Sequence, residues 1–139
     1  MIVLDTNVLS ALMGDAPDGV VARWLDTEPR SSIWTTAVTV FEIELGLQTM
    51  SAGRRQEALR RDFQRCFQEI LQGRVLDFNA SAAKETAVIA SRRRREGRVD
   101  ELRDSMIAGI AIAHRATLAT RNARHFADLP VPVVDPWRR

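Results

Sequence analysis

Residues 1–4, Met-Ile-Val-Leu, are apolar without interruption, and residue 5 is an aspartate. Four residues are too few for a helix, and an unbroken apolar run of that length suits a central parallel strand covered on both faces. Similar runs recur along the chain: SIWTT at 32–36, VLDF at 75–78, and residues 117–120 and 131–134, the last flanked by Pro130, Pro132 and Pro136. Between most of them lie stretches with helical periodicity. Residues 7–13 carry apolar positions at 8, 9, 12 and 13, and a second short helix fits 19–25. A mostly buried helix opening at Thr39 runs to about residue 50, through apolar positions 40, 41, 43, 45 and 47. From Arg54 the series Leu59, Phe63, Phe67, Ile70 and Leu71 is amphipathic and stops at Gly73. Ser81 can cap a helix over 82–95 that Gly97 ends. A last helix spans 104–115, with Met106, Ile107, Ile110 and Ala111 inward and Gly109 and Ala113 allowing close approach. Strands alternating with helices predict a three-layer α/β fold with a central, mostly parallel sheet flanked by helices. At 139 residues the chain is expected to be one domain, 1–139.

Composition narrows the setting. The lone cysteine, Cys66, cannot staple a fold and suits a reducing compartment. No apolar run reaches the ~18 residues of a membrane span, and the start of the chain lacks a basic stretch before its apolar one. A cytoplasmic, non-membrane protein is the expectation. The net charge is only +2, but Lys84 is the sole lysine among 20 basic residues. Arginine offers a planar fork of donors that matches phosphate and carboxylate, a leaning toward nucleic acid or an acidic peptide.

The informative polar residues are acids at the mouths of apolar elements. Asp5 follows the first strand, at the edge where open α/β sheets bind ligands, and it can equally serve as a helix cap. Glu42 sits among Phe41, Ile43 and Leu45, and Thr39 followed by Glu42 also fits a capping box. Asp104 opens the apolar run 105–113, with Asp100 and Glu101 upstream as looser, solvated candidates. If the sheet brings Asp5, Glu42 and Asp104 to one edge, their like charges repel unless a cation intervenes. Oxygen-only ligands are those that Mg²⁺ or Mn²⁺ accept. Zinc is disfavoured, because His114, His125 and Cys66 have no ligand spacing.

Three blocks carry a resemblance. IVLDTNVLSAL at 2–12, TTAVTVFEIELGL at 35–47, and RDSMIAGIAIAHRATLATRNARHF at 103–126 followed by VPVVDPW at 131–137 resemble the PIN-domain family, in particular its bacterial VapC-type toxin ribonucleases. The resemblance implies a PIN-like fold and a metal-dependent endoribonuclease. Asp5, Glu42 and Asp104 would then be both catalytic and metal-binding. Thr6, Thr120 and Asn122 would be supporting polar groups. Many members carry a further aspartate where Asn122 or His125 stands here. The implied partners are an RNA substrate, a small antitoxin lying across the groove, and a second copy of the chain.

Arg121 and Arg124 flank Asn122 and are candidate RNA contacts. Arginines 92–95 span ~300° of a helix and are read as solvated surface, with RNA or antitoxin contact as the competing role. His125 is read as a surface loop residue, with proton donor as the competing role, and His114 as a helix C-terminal partner or a partly buried residue. Trp24, Trp34 and Trp137 are assigned to core or interface, and Gly46 to helix packing. The regions 33–40 and 59–71 are the candidate dimer surfaces. A non-catalytic RNA- or protein-binding module on the same fold is the alternative.

Overall fold

The computed structural model describes residues 1–98 and 101–138, and Asp100 lies outside them. The described residues form a five-stranded sheet in the order β3-β2-β1-β4-β5, with every neighbouring pair parallel. Strand β1 is Ile2–Leu4, β2 Ile33–Thr36, β3 Val75–Leu76, β4 Thr117–Ala119 and β5 Val133–Val134. Helices α1 (Thr6–Ala11) and α2 (Gly19–Asp26) connect β1 to β2. Helix α3 (Ala37–Thr49) and α4 (Arg54–Arg65, continued by one wider turn, Cys66–Leu71) connect β2 to β3. Helices α5 (Ala80–Arg95) and α6 (Leu102–Ala113) connect β3 to β4, and a short 3₁₀ turn, Ala123–Phe126, precedes β5.

The strands alternate their side chains between two cores, as a pleated strand requires. Val3 of β1 and Leu118 of β4 are fully buried among Ile89 of α5 and Ile107 and Ile110 of α6. Their neighbours Leu4 and Ala119 point the other way, among Val8, Leu9, Val21, Ile43 and Phe63. The sheet is thus the middle of three layers, as the alternating pattern predicts. Among the described residues no helix is long and apolar enough to cross a membrane.

Several boundaries differ from expectation, each for a local reason. Helix α3 starts at Ala37, because Thr36 supplies the cap by accepting the Thr39 N–H at 3.1 Å. Thr39 is therefore inside the helix, and the Thr39–Glu42 capping box does not form. Only one face of α3 is covered: Ile43 and Leu47 are buried, whereas Phe41 and Leu45 are 54% and 42% exposed. Asn79, not Ser81, caps α5, accepting the Ala82 N–H at 3.0 Å. Strand β3 ends at Leu76, leaving Phe78 exposed. Gly97 adopts a φ of 71°, a conformation that costs glycine little, just after α5 ends.

Arginines 92–95 are not a solvated group. Arg93 is fully buried, pairs with Asp128 at 3.3 Å and lies 5.5 Å from the Phe126 ring centre. Arg92 reaches the same carboxylate at 3.1 Å, and only Arg94 and Arg95 are exposed. Burial opposes the charge on Asp128, but the hydrogen bonds and charge of Arg93, joined by Arg92, hold its carboxyl down at about 2. Gly46 is exposed with open space around it and serves no helix contact. Gly109 is the glycine that does: a Cβ there would lie 2.0 Å from Thr86 Oγ1. Region 33–40 is mostly buried, so it offers little surface to a second copy. His114 ends α6 in solvent, and Trp24, Trp34 and Trp137 are all half-buried.

Candidate active site

The chain enters the sheet at its centre, builds β2 and β3 to one side, then returns to add β4 and β5 on the other. The reversal falls between β1 and β4, and such a switch point opens a crevice at the carboxyl ends of its two strands. Asp5 leaves β1 there, and Thr120 leaves β4 there. The Asp5 N–H donates to the Ala119 carbonyl at 2.9 Å, so the strand pairing carries on up to the site.

Asp5 is 4% exposed. Its Oδ1 accepts the Thr6 N–H at 2.8 Å, and its Oδ2 accepts the Thr120 hydroxyl at 2.7 Å and the Asn7 amide at 3.4 Å. It does cap α1, as its position allows, but the cap occupies one oxygen only. Burial pushes the Asp5 carboxyl upward; the hydroxyl and N–H donors oppose this, and the charge of Glu42 adds to it.

Glu42 lies in the second turn of α3. Its Oε1 accepts the Thr6 hydroxyl at 2.8 Å, and Arg103 stands 3.9 Å from its Oε2. Asp104 is the third residue of α6, since that helix begins two residues earlier than the sequence pattern predicts. Burial, then the charges of Asp5, Glu42 and Glu101, push the Asp104 carboxyl up to about 6. The three acids thus come from β1, α3 and α6 and act on one another electrostatically. Glu101, the looser candidate, is exposed at the start of α6. Among the described residues, no three His, Cys, Asp or Glu side chains converge closely enough to hold a metal ion as they stand.

The supporting polar residues fall around this centre. Thr6 links Glu42 and Thr39, and Thr120 links Asp5 to the loop after β4 by accepting the Asn122 N–H at 3.1 Å. The Asn122 side chain is exposed. With Asp104, Arg121, Arg124 and His125 it lines an open groove of about 780 Å³. His125 is not a free surface residue: its Nε2 is 3.8 Å from Asp104 Oδ2, and it packs edge-on against Phe126.

Three contributors escaped the sequence reading. Asn7 accepts the Arg121 N–H at 3.1 Å while its amide faces Asp5; the spacing Asp5-Thr6-Asn7 is the signal that marks it. Arg103, beside Glu42 and 5.9 Å from the Phe41 ring centre, was marked only by adjacency to Asp104. Asp128 carries no local signal, because its partner Arg93 is distant in the chain. Arg93 and Arg98 also donate to the His125 carbonyl at 3.0 and 3.2 Å, fixing the loop that borders Asp104.

Comparison with known proteins identifies the family. The PIN domain family matches residues 2–132. The chain is 34% identical over 137 residues to VapC ribonuclease Y4jK of Sinorhizobium fredii, covering 99% of this chain and 98% of that protein. It is 32% identical over 137 residues to toxin FitB of Neisseria gonorrhoeae, covering 99% of each. Its structure matches a chain in the crystal structure of FitAcB from Neisseria gonorrhoeae with a TM-score of 0.87 at 32% identity, covering 100% of both. With the family matched over residues 2–132 and relatives above 30% identity aligned over nearly their whole length, the chain belongs to the PIN-domain family, beside its VapC- and FitB-like members.

Proposed function

We propose that this chain is a Mg²⁺- or Mn²⁺-dependent endoribonuclease and the toxin of a toxin–antitoxin pair. The observation that carries the reading is that burial raises both Asp5 and Asp104, with the charge of Glu42 adding to each and that of Asp5 adding to Asp104. Carboxylates held together at that cost are used where a cation offsets their repulsion. The donor chemistry fits the proposed ion: hard oxygens, with open space beside Asp104 for the waters Mg²⁺ retains. Asp5, Glu42 and Asp104 would hold it, after Glu42 gives up its present contacts to Thr6 and Arg103. When bound, such a cation supplies positive charge to the scissile phosphate and makes water a better nucleophile.

The chain's own groups do the rest. Thr120, Thr6 and Asn7 fix the Asp5 carboxylate, leaving little of its motion to be arrested on substrate binding. Asp104, the one acid of the three that lines the groove, accepts or orients the proton of the attacking water. Asn122 contacts phosphate or water, and Arg121 and Arg124 offset charge that builds on the phosphate oxygens. The relatives named VapC ribonuclease and toxin FitB support the activity, and a structure of FitAB bound to a DNA fragment, similar at a TM-score of 0.87, supports a small protein partner. A homodimer and a cytoplasmic location belong to the same proposal.

Purified protein incubated with total cellular RNA is expected to generate new 5′ ends only when Mg²⁺ is present. Asp104→Asn is expected to lower that activity by about 10²-fold or more. One observation favours a second reading, a non-catalytic RNA- or protein-binding module on this fold: the three carboxylates do not already form a compact ligand cluster. RNA retained by the protein but never cut, with Mg²⁺ and Asp104 both immaterial, would decide for that module.

A further inference from the structure

The groove beside Asp104 is bordered by Arg98, Arg121, Arg124 and Arg138. They are not equivalent. Arg98 is committed to Asp128 at 3.0 Å and to the His125 carbonyl. The Arg138 side chain is 82% exposed and reaches Asp135 only at 3.8 Å. Arg121 is held at both ends: its backbone N–H donates to Asn7, and its guanidinium lies 4.8 Å from the centre of the Trp137 ring.

Trp137 is itself locked. Its indole Nε1–H donates to Asp18 Oδ2 at 3.0 Å, and its backbone N–H donates to Asp135 Oδ1 at 2.9 Å. Asp18 is a rigid acceptor because it caps α2, accepting the Val20 and Val21 N–H groups at 2.9 and 3.3 Å. The indole donor, foremost among these contacts, holds the Asp18 carboxyl below its ordinary range. A continuous series of contacts therefore runs from the start of α2, through Asp18 and Trp137, to one guanidinium on the groove wall. A guanidinium resting on an aromatic face keeps its in-plane N–H donors available to an anion. An arginine already ordered loses less entropy on binding than a free one.

We propose that Trp137, anchored by Asp18, is a positioning residue that presets Arg121 as the contact for an RNA backbone phosphate entering beside Asp104. This rests on the RNA-directed reading given above. It assigns a binding role to the segment after β5, which the catalytic account does not use.

The test is a binding cycle. Affinity for a labelled single-stranded RNA is measured by fluorescence anisotropy in EDTA, across a salt series, with folding checked by circular dichroism. The proteins are wild type, Arg121→Ala, Trp137→Ala, Trp137→Phe, the corresponding double variants, and Arg55→Ala as an exposed control on α4. Arg121→Ala is expected to reduce the salt slope by about 0.7, the value for one lost contact to a single strand. Trp137→Ala, which removes no charge, is expected to weaken binding about two- to fivefold. That loss should vanish in the Arg121→Ala background, and Arg55→Ala should bind as wild type. If Trp137→Ala does not fold, the Trp137→Phe loss must vanish in the same background. Additive losses in the cycle, or Trp137 variants that bind like wild type, overturn the proposal and leave the nuclease reading standing. Wild-type protein that binds no RNA in EDTA also overturns the proposal, whereas the nuclease reading falls only if RNA stays uncut in Mg²⁺.

Discussion

Asp104 carries the clearest physical cost of the site. Its carboxyl is raised from 3.8 to about 6 by burial and by the charges of Asp5 and Glu42. Between those values the folded protein retains a proton that the unfolded chain has released, so folding is opposed by ionisation. The stability that Asp104 contributes is complete below 3.8 and is lost as pH rises through about 6. Neutralising the residue removes the penalty. In EDTA, Asp104→Asn is expected to melt higher than wild type at about pH 7, the difference closing toward about pH 4. Thermal unfolding followed by circular dichroism at both pH values checks this, and a variant that melts lower at both would contradict it. A residue that weakens the fold while sitting in an open groove fits the chemical role proposed for Asp104 above.

At the scale of elements, the placement of that residue depends on how closely α5 and α6 approach. A Cβ on Gly109 would lie 2.0 Å from Thr86 Oγ1, 2.7 Å from the Ala82 carbonyl oxygen and 2.9 Å from the Thr86 nitrogen. Two of those atoms are backbone, so the helices must separate to admit it. Alanine gains about 1 kcal/mol over glycine in helix propensity, but the clash is expected to dominate. Gly109→Ala should destabilise by about 1–3 kcal/mol net, measured by urea unfolding; a gain in stability would show that the helices have slack. This contact was legible in the sequence, where glycine stands in an otherwise apolar helix. The strands and most helices were legible too, because burial on two faces leaves an unbroken apolar run. Helix starts were less so. Thr36, Thr39, Asn79 and Ser81 are all competent caps by type, and only the exit direction of the preceding strand or loop selects among them. For the same reason Glu42 read as a first-turn residue although it lies a turn further on. The buried Arg93 was illegible, because nothing near it in sequence announces Asp128.

For the whole molecule, the parallel order β3-β2-β1-β4-β5 is what gathers residues from three separate parts of the chain. Reversal of the winding between β1 and β4 leaves Asp5 and Thr120 facing one crevice, and α3 and α6 bring Glu42 and Asp104 toward it. The acids were visible in the sequence as residue types at element mouths; of their polar cradle, Thr6 and Thr120 were marked only by the family resemblance and Asn7 was not marked as part of it, since the three meet only when the sheet closes. The claim on which the account turns is that Asp5, Glu42 and Asp104 share one divalent-cation site. Calorimetric titration of Mn²⁺ into the metal-free protein measures it directly, beside Asp5→Asn, Glu42→Gln and Asp104→Asn variants whose folding is confirmed. The account predicts Mn²⁺ binding by wild type and an affinity at least about tenfold lower in each variant, equivalent to ~1.4 kcal/mol or more. Wild-type protein that takes up no Mn²⁺, or Asp5→Asn and Asp104→Asn variants that bind it as tightly as wild type does, would contradict it.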